Sequence, residues 1–361
     1  MLGRLWVAGL LAWLLTSASA GAQKDGRPSS GDWDLLPASP SAAVQIWALP
    51  NGVVFVRDQP GRLFRSDDWG DTWQVVPGPP GGRAAAVDPN DPSVLYGLDS
   101  SGLLKSTDAG LAWRLIRSNP VLLRSFQPGQ LGISPADPNL LYLAEPDGCC
   151  EPGHVSRSRD GGATWETAYQ ISRAGSPCVV AVTILQPHPT DPRRVFTDAG
   201  CYAGRDLGRR LSASQDQGAT WSTVFPSGRG LIPQRLVGGA GVDPRRLYLT
   251  TTGFMDAVRP RVYRSDDDGA TWSQVLQADD PSTRNFGGLA YDPDQPERVY
   301  VATGRTSNPD DTGVRVTDDG GQTWRFLGRQ DLGWINDLVR TPDGAALFAA
   351  TNEGMWRLLL G

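Results

Sequence analysis

Cleaving a glycosidic bond takes two carboxylates, one to protonate the leaving oxygen and one to act as nucleophile or to activate water. Outside its repeated motifs and turns the 361-residue chain offers Asp147, Glu151, Asp256, Asp310, Asp311 and Asp337 for that work. Asp337 stands foremost, because Trp334-Ile335-Asn336-Asp337 opens an apolar segment and an indole can stack on a sugar ring. Asp256 and Asp310 are the further catalytic candidates. The blander reading of the same residues is a packed Trp and a carboxylate that caps nearby backbone N–H groups. Other chemistries are poorly supplied. Of the two histidines, His188 fills a turn slot taken by Asp or Ser in sister repeats, and His154 lies in a loop. The acid runs Asp67-Asp68, Asp266-Asp267-Asp268 and Asp318-Asp319 do not follow the spacing of a calcium loop. No metal or other cofactor is expected.

The elements that would position these residues are set by a repeat. Ser/Thr-x-Asp-x-Gly-x-Thr-Trp recurs six times, at 66–73, 106–113, 158–165, 214–221, 265–272 and 317–324, with Ala112 the one exception at the Thr position. Successive Trp residues are 40, 52, 56, 51 and 52 residues apart, the period of a propeller blade. The hydroxyl and the acids Asp68, Asp108, Asp160, Asp216, Asp267 and Asp319 are suited to locking a turn by local hydrogen bonds. The Gly suits a positive φ. Trp73, Trp113, Trp165, Trp221, Trp272 and Trp324 are expected to fill the space between neighbouring units.

A second repeat, Asp-Pro-x-x-Pro-x-x-apolar-Tyr or a variant of it, precedes most copies, as in Asp88-Pro89-Asn90-Asp91-Pro92 leading to Tyr96. Each such cluster is a turn between strands, since Pro cannot donate to a ladder. The unit ending past Trp113 therefore reads as four strands, 84–87, 94–98, 103–106 and 112–116, with the octapeptide between the third and fourth. After the last octapeptide only three strands remain, 335–338, 346–350 and 355–358. Trp33-Asp34-Leu35-Leu36-Pro37 matches Trp73-Gln74-Val75-Val76-Pro77 in pattern. The N-terminal strand is thus expected to complete the last blade and close an all-β, seven-bladed propeller of four-stranded antiparallel blades over 31–361.

These motifs resemble those of the Asp-box propeller families: sialidases, xyloglucan-cleaving endoglucanases, sortilin-type receptors and exported bacterial proteins. The Asp-Pro turns look more like the endoglucanase and sortilin-type branch. The resemblance speaks for fold, since the boxes are scaffold in all these families. A sialidase implies three Arg around a carboxylate, and Arg124, Arg205, Arg259 and Arg284 are available. The Arg-Ile-Pro signature of that branch is absent, however. The endoglucanase branch implies two propellers with a cleft between them, and this chain carries one.

Four consecutive blades carry long loops between second and third strands, over 145–154, 198–210, 251–261 and 303–313. Such loops on a rigid scaffold are where binding concentrates. Trp334, Tyr202, Arg205, Phe254, Arg259 and Arg305 are the ligand-binding candidates. The expected function is non-catalytic binding of a protein or glycan through this face. Glycoside hydrolysis, sialidase-like or endoglucanase-like, is the alternative.

Composition agrees with 43 Gly and 29 Pro breaking the chain into short strands. A net charge of −5 without basic runs argues against nucleic acid. Arg4, the apolar run from Leu5 to Leu15 and Ala18-Ser19-Ala20 read as a cleaved signal peptide over 1–20, with 21–30 a linker. No membrane span is expected after cleavage, and the chain is expected to be exported, to periplasm or medium. Cys149, Cys150, Cys178 and Cys201 then suggest two disulfides, with several pairings open.

Overall fold

The computed structural model describes residues 32–119, 131–146, 153–171, 179–198, 200–202, 210–225, 231–253 and 258–360. Seven four-stranded antiparallel sheets form a seven-bladed propeller. In five of the seven blades the four strands are consecutive; blade two runs Arg83–Val87, Leu95–Asp99, Gly102–Ser106 and Arg114–Ser118. A two-stranded ribbon, Val179–Ala181 against Gly200–Tyr202, adds to blade four. No helix of the described residues is long and apolar enough to cross a membrane.

The expected closure is present. Trp33–Leu35 pairs antiparallel with Met355–Leu359, as the outer strand of the blade that begins with Ile335–Arg340. The core is not one cluster but seven, each shared by two neighbouring blades. The one between blades six and seven gathers Trp33, Tyr300, Val316, Leu338 and Trp356. A blade cannot bury both its faces alone, so each depends on the next.

The octapeptide turn is the same in all six copies. In blade four Ser214 Oγ donates to Asp216 Oδ1 (2.8 Å) and accepts from Gly218 N–H (2.7 Å). Asp216 in turn accepts from Thr220 N–H (2.8 Å) and Thr220 Oγ1 (2.6 Å). Two consecutive residues take left-handed backbone, the fourth at φ 58–70° and the Gly at φ 87–97°. The sequence pointed only to the second. The fourth strand starts after the Trp, not before it as the strand expected at 112–116 would have it. In blade two it is Arg114–Ser118, because the Asp108 carboxylate still holds Ala112 N–H in the turn at 2.9 Å.

Four of the six octapeptide Trp residues are staples, whereas the Trp113 indole bonds Gly110 O of its own turn and the Trp73 indole nitrogen has no hydrogen-bond partner. The indole N–H of Trp165, Trp221, Trp272 and Trp324 donates to a fourth-strand carbonyl of the preceding blade, at Ile116, Ala168, Val224 and Val275 respectively (2.9–3.1 Å). Trp33 does the same with Leu327 O at 2.8 Å, although no octapeptide precedes it. A second staple was not anticipated. The basic residue just before the octapeptide reaches the fourth octapeptide residue of the next blade: Lys105 to Gly161 O, Arg157 to Gln217 O and Arg264 to Gly320 O. Arg357 closes the ring in the same way on Trp69 O at 2.8 Å.

The octapeptides also dock on the turns between first and second strands, as in Ala109 N–H to Ser93 O (2.9 Å) and Gly320 N–H to Glu297 O (2.9 Å). Both sets of turns occupy the lower face. The second-to-third-strand loops and the blade-to-blade connections are left to form the upper one.

Two outcomes are expected. Trp33→Ala removes a buried indole and its cross-blade bond, and costs about 3–5 kcal/mol; chemical denaturation of variant and parent measures it, and an unchanged midpoint refutes closure by this strand. Hydrogen bonds from Thr164 and Ser158, and from Thr220 and Ser214, hold the Asp160 and Asp216 carboxyls down at about 2. A depressed folded-state pKa stabilises above the unfolded value and is lost as pH falls through the folded one. The melting temperature should therefore fall between about pH 4 and pH 2, and a flat profile there contradicts the locking role.

Candidate functional site

The two foremost sequence candidates, Trp334 and Asp337, fall one in each of two cavities. The first is an open groove of about 420 Å³ between blades six and seven, lined by Thr306, Thr312, Asp331, Trp334, Asn352 and Glu353 among others. Trp334 is 43% exposed, the one aromatic among the exposed large hydrophobic side chains of the described residues. Its backbone N–H donates to Asn352 Oδ1 (2.7 Å) and its indole N–H to Thr306 O (3.3 Å). The Arg305 guanidinium lies 5.3 Å from its ring centroid. Stacking of this kind orients the ring without burying it.

The long sixth-blade loop that carries Thr306 is braced from below. Asn308 Nδ2 donates to Asp280 Oδ2 (2.8 Å), Ser282 Oγ meets Thr306 Oγ1 (3.1 Å), and Thr283 Oγ1 donates to Asp311 Oδ2 (2.6 Å). Asp311 is itself buried against Arg315. Asp310, a catalytic candidate, is exposed on a turn, its N–H held by Asn308 Oδ1 (3.0 Å).

Two carboxylates of the groove were not singled out from sequence. Arg329 grips Asp331 with two bonds of 2.5 Å and holds its carboxyl below the usual carboxylate range. Glu353 lies against Gly333, where an added Cβ would come within 3.2 Å of its Oε1. Gly333 has φ +77°, so it permits both the turn and this close approach. Asp331 shares the connection that carries Trp334, whereas Glu353 is brought to it by the loop between the second and third strands of blade seven.

The second cavity is the central channel, about 450 Å³, walled by apolar residues of the inner strands such as Ile46, Ile133, Leu185, Leu236 and Leu289. Asp337 lines it, with 8% of its surface exposed. Its Oδ2 accepts from Ile46 N–H of blade one (3.0 Å), its Oδ1 from Leu338 N–H (3.1 Å). Arg235 of blade five pairs with it at 3.2 Å and also donates to Asn336 O (2.9 Å). Burial pushes the Asp337 carboxyl up, against the pull of Arg235. Asp337 is thus a clasp between inner strands. Only two residues lie between it and Trp334 in sequence, yet Trp334 sits on the connection before the strand and Asp337 lines the channel.

The other candidates are more dispersed. Arg259 donates to Asp279 O (2.9 Å). Arg205, Phe254 and Asp256 lie outside the described residues, as do Cys149, Cys150 and Cys178. Tyr202 and Cys201 belong to the blade-four ribbon, of which the backbone alone is described. His188 is the turn residue expected, its Nδ1 accepting from Asp191 N–H (3.1 Å). Glu145, at the base of the third-blade loop, is buried and bound by Arg117 (2.8 Å), Asn119 (3.1 Å) and Ser156, a latch between blades two and three.

No family model matches the chain. It is similar to a xyloglucanase of Paenibacillus sp, 27% identical over 299 residues that make up 78% of this chain and 24% of that protein. Xyloglucanases of Acetivibrio thermocellus (27%, 74% of this chain, 29% of that one) and Hypocrea jecorina (24%, 76% and 36%) are comparable. The chain therefore spans about a quarter to a third of the length of the curated relatives it matches. Among solved structures it superposes on the GH74 xyloglucanase of Xanthomonas campestris with a TM-score of 0.64 at 20% identity, covering 91% of this chain and 53% of that one. It superposes on YCF48 of Cyanidioschyzon merolae with a TM-score of 0.57 at 14% identity, covering 91% and 98%. The structural likenesses show the fold. The sequence relatives favour the glycoside hydrolase alternative over the non-catalytic binding expected at first.

Asp337→Ala should strand Arg235 and the Ile46 N–H in the channel wall. Breaking a buried pair this way costs about 3–5 kcal/mol. Urea titration of the variant checks it; stability within experimental error of the parent would show that Asp337 is no clasp.

Proposed function

We propose that this chain is an exported glycan-directed propeller that hydrolyses a β-glucan of the xyloglucan type, with the Trp334 groove as a saccharide platform. The observation that carries the reading is the similarity to xyloglucanases over about three quarters of the chain. The groove supplies what a neutral polysaccharide needs. The exposed indole offers an apolar face to a pyranose ring. Asn352, Asp331 and Glu353 offer acceptors and donors for its hydroxyls. Export agrees with the substrate, because such polymers are extracellular, and with the signal peptide read over residues 1–20.

One observation favours a second reading, binding without cleavage. Asp337, the foremost catalytic candidate, already serves two backbone N–H groups and an arginine. In that reading the groove holds the polymer and another protein cuts it.

Incubation with xyloglucan and an assay of released reducing ends separates the two, with affinity electrophoresis on the same polymer alongside. Hydrolysis is the expected result, and retarded migration without sugar release selects the binding reading. Neither release nor retardation on any plant β-glucan overturns both. Trp334→Ala should weaken retention roughly tenfold and leave the fold intact.

A further inference from the structure

His188 stands where other blades place an oxygen. It opens the turn between first and second strands of blade four, directly after the strand Leu185–Pro187. In blade two the same position is Asp88, whose Oδ1 accepts from Asn90 N–H at 2.9 Å. In blade six it is Asp292, which accepts from Asp294 N–H at 3.0 Å. In blade three it is Ser134, whose Oγ accepts from Asp137 N–H at 3.2 Å. In blade four the acceptor is a ring nitrogen: His188 Nδ1 takes Asp191 N–H at 3.1 Å and Thr190 N–H at 3.3 Å.

Those two bonds fix the tautomer. An imidazole nitrogen that accepts carries no proton, so the neutral ring holds its proton on Nε2. Nε2 faces Pro244 O, in the corresponding turn of blade five, at 3.4 Å. The ring is buried against Gly239 of blade five, where a Cβ would come within 2.6 Å of Nε2. Thr190 adds a second tie between the blades, from Oγ1 to Gly239 O at 3.3 Å. The neutral imidazole is thus satisfied at both nitrogens and joins two blades. The imidazolium is not, because a new N–H at Nδ1 points at two backbone N–H groups. Thr190 Oγ1, 3.5 Å away, already donates to Gly239 O and is too distant for a good bond. The charged groups facing the ring are also engaged. Arg194, from the same turn, is a second cation, paired with Asp268 of blade five at 2.9 Å. Asp191 is gripped by Arg193 at 3.1 Å.

We propose that His188 is an acid-sensitive joint between blades four and five: a second proton, taken up from solvent at Nδ1, removes the acceptor on which the blade-four turn is built and releases that turn from Gly239 and Pro244. An oxygen acceptor survives acid, because a hydroxyl or a carboxyl group keeps a lone pair whatever its protonation. Blades two, three and six therefore do not share the sensitivity. Burial, and after it Arg194, holds the His188 pKa below its ordinary value of 6.5, against the pull of Pro244 O, Asp191 and Asp268. The unfolded chain then binds more protons than the folded one below about pH 6.5, so stability falls as pH drops through that value. The inference is independent of any action on glycans.

Proton NMR of the imidazole signals against pH, thermal melts and amide hydrogen exchange test it on the full chain. There are two histidines, so His188→Asn assigns both signals. Asn keeps an acceptor near the place of Nδ1 and has nothing to titrate. The His188 midpoint is expected below 6.5. Between about pH 7 and about pH 5 the melting temperature of the wild type should fall by about 2 °C or more beyond that of His188→Asn. Exchange near pH 5, corrected for its intrinsic pH dependence, should rise more in Leu185–Pro187, Val195–Thr197, Leu231–Gly238 and Leu247–Gly253 than in blades one and two. His188→Ser, with the residue of blade three, replaces the Asn variant if that one does not fold, and the wild-type exchange pattern decides if neither does. A His188 midpoint at or above 6.5 overturns the neutral buried ring. Parallel melting profiles of wild type and a folded variant overturn the joint, and exchange that rises equally in all blades overturns its location.

Discussion

Every blade of this protein has two faces to bury and no element of its own to bury them with. The constraint on which the rest depends is that the ring must close. Seven apolar interfaces exist because seven sheets stand in a circle, and opening any one exposes two of those faces to water. Closure is made by three residues from the strand Trp33–Leu35, by Arg357 reaching Trp69 O, and by the Trp33 indole bonded to Leu327 O. The interfaces between blades two and three, three and four, and five and six repeat both side-chain contacts, with an octapeptide in attendance. The last one manages without, because the strand arrives from the other end of the chain.

The same repeat separates support from function. An octapeptide spends its hydroxyl, its carboxylate and two left-handed residues on its own turn, and its Trp on the neighbouring blade. Nothing is left for a ligand. The turns between first and second strands are drawn to the same face by the backbone bonds they receive from the octapeptides. Variation is confined to the opposite face, where loop length carries no penalty for the ladder. The exposed Trp334 and the acids Asp331 and Glu353 lie there.

The ring holds two chemically different places. The groove is open, acidic and aromatic, suited to a neutral polymer lying across it. The channel is walled by apolar inner strands, with Arg235 and Asp337 paired in its lining. Asp337 belongs to the second and not to the first. Its neighbour in sequence, Trp334, precedes the point where the chain enters the ladder, so the two side chains diverge although only two residues part them.

The sequence by itself determined the fold, the blade count and the closing strand. The reason is that these follow from local chemistry repeated along the chain: a hydroxyl, a carboxylate and a glycine at fixed offsets make one turn, and the spacing of those turns makes blades. Likewise Trp33-Asp34-Leu35-Leu36-Pro37 was legible as a fourth strand because it copies Trp73-Gln74-Val75-Val76-Pro77. Trp334 and Arg305 could each be named from sequence as ligand-binding candidates, though not their stacking on one another. What stands around them could not. Glu353 reaches Gly333 from the next loop of its blade, Arg235 crosses from blade five to Asp337, and Arg57 meets Arg83 across a blade boundary. Only the tertiary structure decided these encounters, because they depend on how seven sheets are rotated about a common axis, and no short stretch of sequence carries that angle.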